Sequence, residues 1–469
     1  MKLRYDFSNK NELDYLHECT LDILKDTGVV FSQNEAIEIF KKNGIRAENH
    51  TVFLDEKDIN KALESTPSSF EWMGLKSNLT IGSGKCANIP SYGPIYVSTG
   101  GEIREATVTD YINFHKLHET STVINAGNPN VIEPFEIPKD IRPQYMMATS
   151  LMYSTKPIMG LTSGQLNSEM SIKMAQHYYG VNSHKNVVVG LINSAAPMHY
   201  STAMCEALIT YAKNKQAVII TGGGMSCMTT PPTITSTLLT SNAAVLSGIV
   251  LSQLINPGTP VIYGIPSSGC DLRFSVPTCG SSEAALFVLA NRELGNYYGL
   301  PIRAGGILTD SKTNDYQSGY ESMLMSLSTY LGKVDFILHA CGIMDTYNTI
   351  GYEKYILDEE LIKITQHFLN GFDINSETMC IDQIKQKGPQ GNFLGRTNKL
   401  YLKDYMLPSF VNRASNQNWL KQGKPEIDTM ALSKCQKRIN NYEPVEFTID
   451  QSNLLKENIP EIFRLEPIL

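Results

Sequence analysis

The first hundred residues and the remainder of the chain carry different hydrophobic rhythms. Segments 11–26, 34–43 and 56–65 place apolar residues at helical spacing, as in Leu13, Leu16, Leu21 and Leu24. Short alternating pieces follow, "NLTIGSG" and "PIYVSTGGEIREAT", with Gly100–Gly101 marking a hairpin turn. From about residue 120 the pattern changes to short apolar runs that each end in Gly, Ser, Asn or another polar residue. They are "TVINAG", "PIMGLTSG", "NVVVGLINS", "AVIITGGG", "PVIYGIPSSG", "PIRAGGILTD" and "VDFILHACG". Helical stretches separate them, at 140–153, 168–179, 200–213, 235–255, 282–298, 314–331 and 358–370. Strands alternating with helices at this period predict parallel βαβ units.

Seven such strands favour closure into a (β/α)8 TIM barrel, with "TMCIDQI" as the candidate eighth. The α/β chain then divides into an N-terminal α+β extension (1–118), the barrel (119–385) and a polar C-terminal segment (386–469). That last segment is expected to wrap the barrel or to form a homo-oligomer contact.

The chain has 469 residues, 42% hydrophobic and 19% charged, an ordinary globular balance. Its net charge of −7 argues against nucleic-acid or acidic-membrane partners, which require a basic surface. The N-terminus lacks the apolar core of a signal peptide, and the longest apolar run, Ala243 to Ile255, is interrupted by Ser247, Gly248, Ser252 and Gln253. Nine scattered cysteines without a C-x-x-C pair, and nine histidines without an H-x-x-x-H pair, announce neither disulfides nor a metal. The expected setting is a reducing cytoplasm.

In a parallel barrel, chemistry sits on the loops after the strands. That rule selects Asn125, Asn128, Thr162, Ser163, Asn193, Ser194, Gly222, Gly223, Gly224, Ser267, Ser268, Asp271, Asp310, His339 and Asp345. "TGGGMS" lacks both phosphate-loop spacings, so Gly222, Gly223 and Gly224 read as a tight turn or a close backbone approach to a flat ligand, the candidate cofactor-binding positions. Asn314 reads as a helix cap with Asp315 and Gln317 in the first turn. Glu321, one turn beyond Gln317, is a solvated carboxylate or a substrate contact. Asp310 lies upstream of that cap, where the strand leaves the sheet; the rim is short of lysine and of clustered carboxylates, which argues against a two-carboxylate dyad or a Schiff-base lysine and leaves Lys312 as the remaining candidate for the latter. Arg303, inside an apolar strand, needs an anionic partner, either a structural carboxylate or a substrate's. His339 follows "VDFIL" directly. There are 23 Tyr against 2 Trp. Tyr92, Tyr263, Tyr316 and Tyr347 lie on predicted loops or strand ends, where ring faces can surround a quaternary ammonium.

The runs "GGILTDSKTNDYQSGYES", "DFILHACG", "YGPIYVSTGG", "GNPNV" and "GPQGNFLG", in this order, resemble the trimethylamine methyltransferase superfamily over nearly the whole chain. No pyrrolysine is present, so the resemblance is to the branch that demethylates quaternary amines such as glycine betaine, proline betaine, carnitine or γ-butyrobetaine. It implies methyl transfer to the Co(I) corrinoid of a separate protein, a wide open cavity, and no cofactor held tightly by this chain. In that setting Asp310 and His339 orient reacting groups, Arg303 holds a carboxylate, and Tyr92, Tyr316, Tyr347 and Glu321 line the substrate. The residues alone leave open an aldolase-type barrel working through Lys312 and Asp310, and a betaine-binding module without turnover.

Overall fold

The computed structural model describes residues 9–181, 185–266, 268–395 and 399–464. Its centre is a six-stranded parallel sheet in the order Ala87–Asn88, Phe336–Ile337, Ile302–Arg303, Val261–Gly264, Ala217–Gly222, Val189–Ser194. Val218, Ile219, Ile220, Val261 and Ile262 are all fully buried, as expected of strands covered on both faces. Alternate residues enclose a second, smaller apolar cluster containing Ala87, Ile89, Val189, Leu191, Ala217, Ile219, Ile262, Phe336 and Leu338, with Trp72 packed into it. Trp72 belongs to the hairpin Phe70–Trp72 with Leu79–Ile81, and its ring stacks on Phe336.

Two expected strands, "TVINAG" and "PIMGLTSG", contribute only an isolated bridge, Gly127 with Ile158. Their backbones still link the sheet's outer strands. Asn125 N–H donates to the Asn88 carbonyl (2.8 Å), Gly127 N–H to Pro157 (2.8 Å), Met159 N–H to Gly127 (3.0 Å), and Gly160 N–H to Val189 (3.0 Å). The strand Ala87–Asn88 falls within the segment read as an extension, yet it pairs in parallel with Phe336–Ile337. "TMCIDQI" is not a strand. Residues Ile381–Lys387 form a helix, because Ile381 and Ile384 have helical spacing and Gly388, at φ 62°, ends it.

The N-terminal helices Lys10–Asp26, Asn34–Lys42 and Glu56–Ser65 match their apolar spacing, and two of them carry capping boxes, Asn9 with Glu12 and Asp55 with Asp58. The expected hairpin is Tyr96–Thr99 with Glu102–Glu105, turned by Gly100 and Gly101 at φ 58° and 82°. Positive φ at both central positions matches the right-handed twist of the flanking strands. The helix Ile234–Ile255 runs 22 residues and by length and composition alone could cross a membrane, yet it is the buried helix that its polar interruptions indicate. In the fold it is largely buried, packed on the strand Ala217–Gly222 and beneath the helices Lys10–Asp26 and Glu56–Ser65.

The helix Val108–Thr120 buries His115 and His118. Burial lowers His115 to about 3. His118 is driven well below its usual range by burial first, then by the positive charges of His115, Lys156 and Arg438. Both titrate lower folded than unfolded, so the unfolded chain binds more protons between pH 6.5 and 3. Stability should be insensitive to these groups above about pH 7 and fall below pH 6.5, at up to ~1.4 kcal/mol per pH unit for each histidine. Asp358, raised to about 6 by burial, opposes part of this slope. Thermal melts of the wild type and of a His115→Gln/His118→Gln variant at pH 4–8 check the expectation, since the variant should show the shallower acid slope.

Candidate active site

Arg303 lies in a two-residue strand whose preceding residue, Ile302, packs against Gly295 of the helix Ser282–Tyr297. Alternation turns Arg303 to the opposite face, in register with Gly264 and Phe336. Gly264 makes the room. A Cβ there would stand 2.8 Å from Thr221 Cγ2 and 3.5 Å from Arg303 Cδ. Arg303 is 5% exposed, and among the described residues its guanidinium has no ion-pair partner and its Nε no hydrogen bond. Burial pulls it down to about 10, still charged at neutral pH. A buried charge without a counter-ion costs several kcal/mol, so this position is primed for an anion.

Around it stand His339 and the tyrosines. The His339 ring lies 4.9 Å from the Tyr347 ring, and His339 Nδ1 accepts the Tyr92 N–H at 3.2 Å. That bond puts the neutral ring's proton on Nε2. Burial, reinforced by the positive Arg303, holds His339 well below its usual range, so it is neutral at pH 7. The Tyr92 hydroxyl meets Thr162. Arg303 and Tyr347 line a small cavity of about 20 Å³ with Ile265, Ser268, Cys279, Leu308 and Met325, room for about one water rather than the wide opening expected. Leu308, Met325 and Tyr347 fill the space.

Tyr347 owes its position to the strand exit. Gly305 and Gly306 take φ 67° and 128°, so pairing stops after Arg303 and the chain turns across the sheet. Residues Asp345, Thr346 and Tyr347 form three successive left-handed positions, φ 49°, 51° and 75°, each costing roughly 1–2 kcal/mol for a residue with a Cβ. The turn is pinned to that exit. Asp345 N–H donates to the Ser311 carbonyl (3.0 Å), Thr346 N–H to Thr309 (3.4 Å), and Thr346 Oγ1 to Asp310 Oδ1 (2.9 Å). Asp310 also accepts the N–H groups of Cys279 (2.8 Å) and Gly280 (3.2 Å). It therefore ties together three loops at the edge of the cavity.

Several candidates stand elsewhere. Tyr316 is the first residue of its helix, 87% exposed and packed on Tyr320, so it does not face Arg303. Glu321 is buried but fully engaged, accepting from the Thr309 hydroxyl (2.6 Å), the Asp310 N–H (2.8 Å) and Gln317 Nε2 (2.9 Å). It braces Thr309 and Asp310 and does not line the cavity that holds Arg303. Gly222 is spent on packing, since a Cβ would strike the Ser241 carbonyl of the helix Ile234–Ile255. Gly224 abuts Thr230, and only Gly223 of the three faces open space. Asp315 caps the helix Tyr316–Leu331, one residue later than expected, accepting the Ser318 N–H at 2.9 Å. Lys312 is exposed and pairs with Asp345 (3.1 Å) and the Asp310 carbonyl (2.8 Å). Tyr263 is a core residue bonded to Asn242, and Asn128 braces the Ser91 loop. Ser267 lies outside the described residues. Sequence reasoning missed Cys279, Gly264 and Thr346. Only the left-handed turn makes Thr346 meaningful, and "DTYN" carries no glycine to announce it.

Residues 2–461 match the family model described as trimethylamine methyltransferase (MTTB). The chain belongs to this family. Among MTTB-family relatives, it is 36% identical to the glycine betaine methyltransferase of Desulfitobacterium hafniense, over 94% of each chain. It is 34% identical to the proline betaine:corrinoid methyltransferase of Eubacterium limosum, covering 97% of this chain and 98% of that one. With the L-carnitine:corrinoid methyltransferase of the same organism it shares 31% identity over 98% of each. The fold resembles the crystal structure of the Methanosarcina barkeri monomethylamine methyltransferase, with a TM-score of 0.54, 8% identity, and coverage of 94% and 90%. In this MTTB-family member, then, a buried arginine with no ion-pair partner among the described residues, a neutral histidine and Tyr347 meet beside the C-terminal ends of the parallel strands.

Proposed function

We propose that this chain transfers a methyl group from a carboxylated quaternary amine, a betaine, to the Co(I) corrinoid of a separate protein. One observation carries the reading: Arg303, buried and without a carboxylate partner among the described residues, shares its cavity with the Tyr347 ring. A betaine supplies both complements, a carboxylate for the guanidinium and a cation without N–H groups for the ring faces. The relatives named for glycine betaine, proline betaine and L-carnitine support the class. The methyl–nitrogen bond breaks with its electron pair left on nitrogen, giving a neutral tertiary amine, and the acceptor's cobalt takes the methyl. The leaving group is activated by its own fixed charge. The chain's contribution is then to hold the carboxylate at Arg303, orient the ammonium with Tyr92, Tyr347 and His339, and exclude water. Admission of a betaine requires the Tyr347 turn or the hairpin above it to open.

We also read the parallel sheet as a closed (β/α)8 barrel, with 124–127 and 157–160 as its two poorly paired members. The hydrogen bonds linking Asn88 to Val189 through these segments, and the apolar cluster inside, support closure. The extension then ends before Ala87.

Incubation with Co(I) cobalamin and a panel of quaternary amines tests the function. At least one carboxylated betaine should methylate cobalt, seen in the absorbance change, and tetramethylammonium should not. Betaine binding without methylation would make the chain a binding module, and equal turnover of tetramethylammonium would remove Arg303 from substrate recognition. An aldolase reading finds no support, because Lys312 is exposed and ion-paired, without the dry pocket a Schiff-base lysine uses.

The hairpin Gly269–Asp271 with Val276–Thr278 rises between Ser268 and Cys279, both cavity residues, and exposes Leu272 (59%), Phe274 (70%) and Val276 (43%). It stands where a methyl acceptor must approach. Phe274→Asp is expected to raise KM for the corrinoid protein about tenfold, the scale of one apolar anchor, while leaving methylation of free cobalamin unchanged.

A further inference from the structure

The residue expected to cap the helix Tyr316–Leu331, Asn314, gives that place to Asp315. Asn314 stands instead against Asp428, at the start of the helix Ile427–Asn440, and both border a cavity of about 240 Å³. This cavity lies between the helices Tyr316–Leu331 and Tyr352–Asn370, apart from the one that holds Arg303. One wall is apolar, because Leu357, Leu361 and Ile364 recur at helical spacing along the second helix. The other walls carry four carboxylates, Asp315, Asp358, Glu360 and Asp428, against one lysine, Lys354. Three of the four are satisfied. Asp315 accepts the Ser318 N–H (2.9 Å), Asp358 pairs with Lys354, and Glu360 accepts the N–H groups of Ser409 (2.6 Å) and Phe410 (2.9 Å). Asp428 differs. Among the described residues its Oδ1 is buried without a partner, and so are Asn314 Oδ1 and Ser322 Oγ, all three on this cavity. Ser322 is 3% exposed. Burial, and behind it the negative charge of Glu353, raises the Asp428 carboxyl above its usual range, as in an acid short of a cation.

We propose that this cavity binds a small primary ammonium, an alkyl chain of a few carbons ending in a protonated amine. The orphaned oxygens of Asn314, Ser322 and Asp428 call for hydrogen-bond donors, and a primary ammonium brings three N–H groups on one atom. A carboxylate without a counter-ion selects positive charge, and the excess of acids turns anions away. The stripe of Leu357, Leu361 and Ile364 selects an apolar tail, which a metal ion lacks. Among the described residues no three His, Cys, Asp or Glu side chains are placed to hold a metal ion directly. A quaternary ammonium offers no N–H to the three oxygens, so the site does not duplicate the betaine site at Arg303. It does adjoin the turn that carries Tyr347. Ser311 Oγ donates to Asp315 Oδ1 (2.9 Å), and the Ser311 carbonyl accepts the Asp345 N–H (3.0 Å), which links the cavity wall to that turn.

Isothermal titration of the full chain with n-butylammonium chloride, at pH 7 and fixed ionic strength, tests the proposal. One equivalent should bind. Its quaternary counterpart n-butyltrimethylammonium, with the same charge and tail but no N–H, should compete at least about tenfold more weakly, the scale of one charge-assisted hydrogen bond. Asp428→Asn should weaken n-butylammonium by a similar factor, and Ser322→Ala by a smaller one, each with an unchanged circular dichroism spectrum. A wild type that binds no n-butylammonium at tens of millimolar overturns the proposal, as does equal affinity for the quaternary counterpart. Binding that survives both variants overturns it too, since the amine then sits elsewhere. So does displacement of the amine by Mg²⁺ at lower concentration, which would make this a metal site.

Discussion

Arg303→Met is expected to lower kcat/KM for a carboxylated betaine by about 10²–10³-fold while raising the melting temperature. Both effects come from one feature, a guanidinium buried in an apolar strand with no carboxylate to meet it among the described residues. Losing one partner of a buried, hydrogen-bonded charge pair costs roughly 2–5 kcal/mol of binding. The carboxylate is remote from the reacting carbon and is held alike before and during transfer, so the loss should fall mainly on KM. Stability moves the other way, because an apolar side chain of similar volume removes a desolvated charge that the ligand-free fold must carry. Steady-state kinetics with the betaine, set beside a melting curve, read both. An unchanged KM, or a variant less stable than the wild type, would show that Arg303 is satisfied within the protein.

Asp310→Ala is the second large effect, and its mechanism is mechanical. The carboxylate accepts two backbone N–H groups, from Cys279 and Gly280, and the Thr346 hydroxyl. Without it the two N–H groups lose their acceptor, at about 1–3 kcal/mol each. The left-handed turn at 345–347 also loses the side-chain clamp that offsets its strain. We expect about 2–4 kcal/mol of destabilisation and a fall in kcat/KM of roughly 10–100-fold, as Tyr347 leaves its place against His339. If Asp310 acts by positioning that turn, adding Thr346→Val to Asp310→Ala should cost almost nothing more, since contacting residues of one network are not additive. Full additivity would mean that Asp310 acts independently of Thr346, for instance by touching substrate.

Much of the site's neighbourhood was readable, because the rule that chemistry gathers after parallel strands needs only the order of apolar runs. It brought Asp310 and His339 into view, a charge inside an apolar strand marked Arg303, and the aromatics on loops marked Tyr347; the structure sets Arg303, His339 and Tyr347 side by side with Asp310 holding their loops. Orientation was less readable. Tyr316 and Glu321 share one helix, and periodicity cannot say that the first faces solvent while the second turns inward to brace Asp310. Gly222 announced a close approach without saying to what, and its neighbour is a helix. The strand Ala87–Asn88 escaped because only two residues pair there, between Cys86 and Pro90, with no alternation to mark them. "TMCIDQI" misled because a short apolar run fits strand and helix alike until its neighbours are known.

The pairing of Ala87 with Phe336 also governs how the molecule comes into being. One edge of the central sheet is synthesised early and its partner roughly 250 residues later, at the high end of sequence separation for a contact, where folding is slow. Until Phe336 and Ile337 emerge from the ribosome, Asn88 offers an open edge and Trp72 lacks the ring on which it stacks. The nascent chain thus carries an unfinished sheet for most of its synthesis, exposed to aggregation. Truncations that stop short of residue 337 should not yield a smaller folded protein but an aggregating one.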